Sequence, residues 1–184
     1  HNYRPDVPHV LPLEYMFKAR GYQSWARLAG QGKLTPATSQ FWGKKPTEEL
    51  YEMATDPDSV NNLAADPAHR DVLERMRAAL KEHTLAIVDN GFLPEGSPLE
   101  GYEASRQPGA YPLARVFELA NLASERNPAN LAKLIAALDD PIEPVRWWAA
   151  QGCTMLREKA LPAEAALRGR LDDSSGAVQV AAAE

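Results

Sequence analysis

The chain has 184 residues, 45 % apolar and 24 % charged, with a formal net charge of −5 and a single cysteine, Cys153. That is enough apolar material for one ordinary domain or two small ones, and one cysteine excludes an intrachain disulfide. No apolar run approaches the ~18 residues of a membrane span, so no membrane partner is expected, and the acidic balance does not suggest nucleic acid.

The charge is unevenly spread. Residues 1–45 carry seven basic side chains (Arg4, Lys18, Arg20, Arg27, Lys33, Lys44, Lys45) against two acids, Asp6 and Glu14. Such a segment can attract a sulfated or phosphorylated anion, or simply form a solvated face that balances acidic surface elsewhere. The chain opens at His1 without Met and closes at Glu184 in an Ala-rich stretch. Both ends are expected to be cuts in a longer protein, which leaves localisation unknown.

Pro5, Pro8 and Pro12 remove backbone donors, so residues 1–12 are predicted to be extended or irregular, with His1–Tyr3 the tail of an edge strand. Leu13, Met16, Phe17, Trp25, Leu28 and Ala29 recur at helical spacing over 13–30, and Gly21 divides that segment. Thr35-Pro36 pairs a capping hydroxyl with a first-turn proline, predicting a short helix to Trp42 that ends at Gly43. Phe41 and Trp42 are expected as its buried anchors. Glu48–Met53 alternates as a strand. Asp56-Pro57-Asp58 follows as a turn, and Asn61-Asn62 as a second reversal plugged by Leu63. Asp66-Pro67 opens the strongest predicted helix, with an apolar stripe of Val72, Met76, Ala79, Leu80, His83 and Ile87, ending near Asn90-Gly91.

Residues 93–110 are rich in Pro and Gly and read as a linker. Beyond it, Tyr111–Ala123, Pro128–Leu138, Glu143–Leu156 and Pro162–Leu171 are Ala- and Leu-rich helical segments. Leu138-Asp139-Asp140 recurs 33 residues later as Leu171-Asp172-Asp173, with Val145 over Val178 and Ala149-Ala150 over Ala182-Ala183. A repeated acidic turn, a Val and a small-residue pair suit a helical solenoid: the acids cap the next helix and the Ala pair lets helices approach. The pattern resembles HEAT-like repeats, carried by Val145-Arg146 and Ala149-Ala150, and departs from them at Gln179. Trp147-Trp148 places one indole toward the core and the other near the surface or in a helix groove, where it marks a partner surface or packs between domains.

No catalytic set assembles from these residues. His1, His9, His69 and His83 are scattered without metal-ligand spacing, and His83 reads as a partly buried packing residue. Cys153 lacks a Cys partner and a nucleophile-elbow context, and reads as a small core residue. Asp56, Asp58, Asn61 and Asn62 lack the Gly and distal Glu of an EF-hand, so a turn is preferred to a calcium loop. Arg4, with His1 and His9, is the one cluster that invites an anion. No catalytic, cofactor-binding or metal residue is assigned.

Leu50-Tyr51, Asp56-Pro57, Asn61-Asn62-Leu63 and the helix after Asp66-Pro67 resemble the C-terminal subdomain of sulfatases, in the heparan N-sulfatase-like branch. Leu13-Glu14-Tyr15-Met16 and Gln40-Phe41-Trp42 are similar to that branch as well. The resemblance covers residues 1 to about 90. It implies a mainly α fold: a sulfatase C-terminal remnant over 1–92, of helices plus a short strand or small antiparallel sheet, and after the 93–110 linker an α-solenoid-like HEAT-type segment over 111–184. It further implies a fragment of a sulfuric ester hydrolase that packs against an upstream catalytic domain and walls its substrate cleft. In that family a Cys or Ser matures to formylglycine beside a bound calcium ion. Cys153 is followed by Thr154-Met155-Leu156-Arg157, so the motif is not met, and no cofactor is expected in this chain. Family members are often exported, periplasmic or extracellular. The alternative is a non-catalytic interaction module whose helical repeats bind a protein partner.

Overall fold

Asp56 and Asn62 shape the first third of the chain more than any strand does. In the computed structural model, which describes residues 1–10 and 13–184, the chain divides into two compact units, His1–His69 and Arg70–Glu184. The predicted break at Pro12 lies outside the described residues.

In the first unit, the proline-rich start is irregular as expected. Asn2 lies against residues 46–47, its amide N–H donating to the Thr47 carbonyl at 2.8 Å and its side chain to Pro46 at 2.7 Å. Pro8 and Lys44 form an isolated antiparallel bridge. A 3₁₀ turn at Glu14–Lys18 leads into helix α1, Arg20–Gly30. The division of this segment falls at Ala19, which is extended (φ −80°, ψ 120°), and not at Gly21, which sits inside α1. Helix α2, Pro36–Ser39, starts as predicted. Thr35 accepts the Thr38 amide while the Thr38 side chain bonds the Thr35 amide, a reciprocal capping box. A 3₁₀ turn, Gln40–Trp42, then ends at Gly43.

The predicted strand Glu48–Met53 does not form. Its backbone is bonded by a side chain where a neighbouring strand was expected. The Leu50 amide donates to Asn62 Oδ1 at 2.9 Å, and Asn62 Nδ2 donates to the Glu48 carbonyl at 2.9 Å. The Leu63 amide adds a bond to the Leu50 carbonyl at 2.8 Å. One amide side chain thus satisfies groups that a neighbouring strand would otherwise pair. Asp56 organises the turn: its carboxylate accepts the Val60 and Asn61 amides at 3.0 and 2.8 Å. The left-handed residue is Ser59 (φ 53°), not the asparagines. Leu50, 8 % exposed, is the plug; Leu63 is only half-buried. Asn62→Ala removes three hydrogen bonds here, counting the Ala64 amide at 3.0 Å. It is expected to lower stability by roughly 1–3 kcal/mol, read as a shift in the urea midpoint; an unchanged midpoint would reject this account of the loop.

In the second unit, helix α3 (Arg70–Ala86) forms where predicted, but its buried face is rotated. Thr84 is the buried residue, whereas Met76, Leu80 and Ile87 are 54 %, 37 % and 47 % exposed and His83 is exposed, not packed. Arg106 closes the helix end, donating to the Ile87 and Val88 carbonyls at 2.9 and 3.3 Å while stacking over Tyr102.

Residues 93–110 are folded into this second unit and do not behave as a linker. Phe92, Pro94, Ser97 and Ser105 are buried, and Trp148 Nε1 donates to the Phe92 carbonyl at 2.9 Å. The glycines serve turns, with positive φ at Gly96, Gly101 and Gly109. A short helix α4, Tyr102–Ser105, lies among them. The chain then runs through α5 (Leu113–Ser124), α6 (Leu131–Ala137), α7 (Glu143–Leu156), α8 (Glu164–Arg168) and α9 (Gly176–Ala183). Helix α7 is the centre of the unit, packed by α5, α6 and α9. Leu138, Ala149, Ala150 and Ala181 form one buried cluster, so residues from both copies of the repeat share a core. The unit is mainly helical, and among the described residues no strand ladder forms.

Candidate functional site

Five segments of the first unit surround an open cavity of about 570 Å³. Helix α1 supplies Trp25, and the turn after α2 supplies Phe41. Their rings stack at 4.8 Å and 20°, and Trp25 Nε1 donates to the Thr38 carbonyl at 3.0 Å, which fixes the indole plane. Trp42 meets Trp25 edge-on at 5.4 Å, bracing the pair from behind. Phe41 and Trp42 are half-buried, not the fully buried anchors expected.

Lys44 and Lys45 follow directly on the rim. Lys45 is half-buried, and neither lysine has an acidic partner among the described residues. The one acid in the lining, Glu49, lies 3.7 Å from His9 Nε2, which also lines the cavity. Tyr51 completes the wall. Burial, followed by the charges of Glu49 and Asp56, pushes its phenol above the ordinary range, so it stays protonated at neutral pH and can donate. Asn62 and Asp56 hold the loop that carries Glu49 and Tyr51.

The Arg4 cluster resolves differently. Arg4 forms a two-pronged pair with Asp6 at 2.9 and 3.0 Å, and Asp6 is buried, so the guanidinium serves the fold. His1 lies 3.9 Å from Glu48, and His69 pairs with Asp66 at 2.9 Å beside the Asp66 bond to the Ala68 amide. These histidines are not brought together. Among the described residues no three His, Cys, Asp or Glu side chains converge as a metal site.

Cys153 sits inside α7, 2 % exposed, and burial pushes its thiol up to about 11. A desolvated helical thiol in that state does not fit the solvent-facing residue from which a formylglycine could form. The oxygens of Asp56 are taken by amides, which does not fit a calcium ligand either.

In the second unit, the repeated acidic turn has a repeated geometry. Asp140 accepts the Ile142 amide at 2.9 Å and the guanidinium of Arg115. Asp173 accepts the Ser175 amide at 2.9 Å and a two-pronged pair from Arg146 at 2.8 and 2.7 Å. Arg146 also donates to the Asp140 carbonyl at 2.8 Å, and Gln179 makes the matching bond to the Asp173 carbonyl at 2.6 Å. Each turn therefore accepts an arginine from an earlier helix. Trp148 is buried and Trp147 half-buried, meeting at 4.9 Å, as the adjacent pair requires. The face of α5 and α6 beside Arg115 carries a shallow groove of about 430 Å³ that Leu119 and Leu122 line.

Sequence reading did not assemble the Trp25–Phe41–Lys45 wall. The signals were present in the basic balance of residues 1–45 and in Gln40-Phe41-Trp42, but their convergence with Glu49 and Tyr51 depends on the Asn62 loop.

No protein-family model matches the chain, and no solved structure matches it at a significant level. Over 95 residues, 51 % of this chain, it is 37 % identical to the "Ulvan-active sulfatase" of Formosa agariphila, in a match that covers 16 % of that protein. The chain thus spans far less than two thirds of this curated relative, and about half of it is homologous to part of a sulfatase.

Proposed function

We propose that this chain is the C-terminal part of a sulfatase-like sulfuric ester hydrolase, in the heparan N-sulfatase-like branch. Its first unit serves as a structural wall of the substrate cleft. The nucleophile and its calcium ion belong to an upstream catalytic domain, which is the main partner. The observation that carries this reading is the 37 % identity over 95 residues to part of a sulfatase. Cys153, 2 % exposed inside α7, is not placed to serve as a nucleophile for a substrate. The second unit is a HEAT-like appendage in which repeated Arg–Asp pairs join successive helices.

The test is sulfate-ester turnover. The longer protein is expected to hydrolyse an aryl sulfate, to lose that activity when an upstream Cys or Ser of the formylglycine motif is replaced, and the 184-residue chain alone is expected to be inactive. Turnover by the 184-residue chain alone, or none by the longer protein, would overturn the reading.

A second reading, a non-catalytic interaction module, draws on the groove along α5 and α6. It predicts that residues 70–184 retain a peptide partner and lose it on Leu119→Glu. A span starting at 109 would be a poor test, because it removes Phe92, whose carbonyl anchors Trp148.

A further inference from the structure

We infer that helix α3 carries a self-association surface, on which α3 of a second copy of this chain packs antiparallel. This surface belongs to the second unit and is independent of the hydrolase reading.

Over its 17 residues α3 buries one side chain, Thr84. Helices in proteins are held mainly by packing of an apolar face, so a helix this bare calls for a further contact. Its apolar residues are not scattered. Val72, Met76, Ala79, His83 and Ala86 follow the alternating four-and-three spacing of a two-helix seam. Leu73, Leu80 and Ile87 run along one flank of that seam, seven residues apart. Val72 and Leu73 are half-buried, and every other residue of the seam and of this flank is exposed. A single exposed leucine is ordinary, but a continuous stripe without formal charge is not. Nor does α5 occupy it: Lys81 pairs with Glu118 at 3.7 Å from the opposite side of the helix.

The other flank identifies the partner. Arg75 and Glu82 lie along it, both exposed and without an ionic partner among the described residues. An antiparallel pair of identical helices brings each flank against its own counterpart. With Met76 opposite Ala79 of the second copy, Arg75 meets Glu82 of the second copy. By twofold symmetry Glu82 meets the Arg75 of that copy, so one sequence supplies two opposite-charge contacts. In the same register Leu73 meets Leu80 along the apolar flank, also twice. The twofold axis falls between Arg77 and Ala78, beside the middle of Arg70–Ala86, so the helices overlap along almost their whole length. His83 falls toward each end of the seam, where its ring nitrogens reach water. A parallel pair would instead set the charged flank against the leucines and leave both charges beside apolar side chains.

A helix of this length is ~25 Å long and ~10 Å across. One such contact lies at the small end of specific interfaces, so a dimer dissociation constant on the order of 10–100 µM is expected.

Sedimentation equilibrium of the 184-residue chain, over concentrations that bracket that constant, is the test. A monomer–dimer equilibrium is expected. Leu80→Lys should abolish it with helix content by circular dichroism unchanged, since lysine suits an exposed helical position. Glu74→Lys, on the far face of α3, is the control and should leave the constant unaltered. Arg75→Glu and Glu82→Arg should each weaken the dimer about tenfold, because each turns both contacts into like-charge ones. Mixed in equal amounts, these two variants should pair with each other at about the affinity of the unaltered chain, because both opposite-charge contacts re-form with exchanged signs.

A chain that stays monomeric throughout the series leaves the stripe to some other surface and overturns the proposal. So does a dimer that survives Leu80→Lys, one that is lost on Glu74→Lys, or a pair of charge reversals whose mixture shows no recovery.

Discussion

Asp173→Ala is expected to destabilise the second unit by about 3–5 kcal/mol, because it strands a buried guanidinium. Arg146 and Asp173 side chains are 9 % and 3 % exposed, and their two-pronged bonds at 2.7 and 2.8 Å replace the water that each charge lost. The remaining bonds from Arg146, to the Asp140 carbonyl and the Ser174 hydroxyl, are to neutral oxygens and cannot neutralise it. Asp139→Ala is the control. That carboxylate is 77 % exposed, and its contact with Arg170 at 3.2 Å is a surface pair worth about 0–1 kcal/mol. Replacing the buried pair as Arg146→Met with Asp173→Leu should recover most of the loss, since an apolar pair needs no charge compensation. Chemical denaturation of the three variants decides the matter; an Asp173→Ala midpoint matching that of Asp139→Ala would refute the buried-charge account.

The same pair sets an acid limit. Burial alone would raise the Asp173 carboxyl, but the Arg146 hydrogen bonds, the Ser175 amide and the charges of Arg146 and Arg170 outweigh it and hold it below the ordinary range. The folded value is thus lower than the unfolded one, about 3.9. The stabilisation is complete above the unfolded value and fades as pH falls from about 4 through the folded value. Asp173→Asn should flatten that part of the stability–pH curve.

Gly152→Val is expected to cost at least as much as a typical overpacking change, about 1–3 kcal/mol, and to loosen the centre of the unit. A Cβ at Gly152 would lie 2.7 and 2.9 Å from the Leu134 methyl carbons and 3.1 Å from the Ala123 Cβ. Leu134 and Ala123 are each 1 % exposed, so neither has room to retreat. Gly152→Ala has a partial offset, since Ala favours a helix over Gly by about 1 kcal/mol, and should be milder. Leu134→Ala opens a cavity by itself, yet combined with Gly152→Val it should recover stability, giving a favourable coupling in a double-mutant cycle. Additive losses would show that the close approach of α7 to α5 and α6 is not what selects glycine.

Local signals were read well where the chemistry is local. Thr35-Pro36 starts α2, Asp56 builds its turn, and Asp66 bonds the Ala68 amide ahead of α3. Each of these depends on side chains reaching backbone only a few residues away. The strand at Glu48–Met53 was misread because alternation records which faces differ, not what pairs with the backbone. Asn62 does that pairing from 12 residues on. The α3 stripe was misread for a related reason: 3.6-residue spacing specifies a helix, while burial requires a neighbour, and Met76, Leu80 and Ile87 are exposed. The proline- and glycine-rich 93–110 segment reads as a linker from sequence because turn residues look alike whether or not their loop is packed.

By itself the sequence determined the helix starts, the acidic repeat 33 residues apart, and the likeness of about half of the chain to part of a sulfatase, because caps, turns and periodicity are written in near neighbours. Only the tertiary structure decided that Asp173 receives Arg146, that Phe92 anchors Trp148, and that Lys45 stands beside Trp25 and Tyr51 in one cavity. Those pairings join residues 6 to 56 positions apart, and their specificity comes from burial, which no short window of sequence contains.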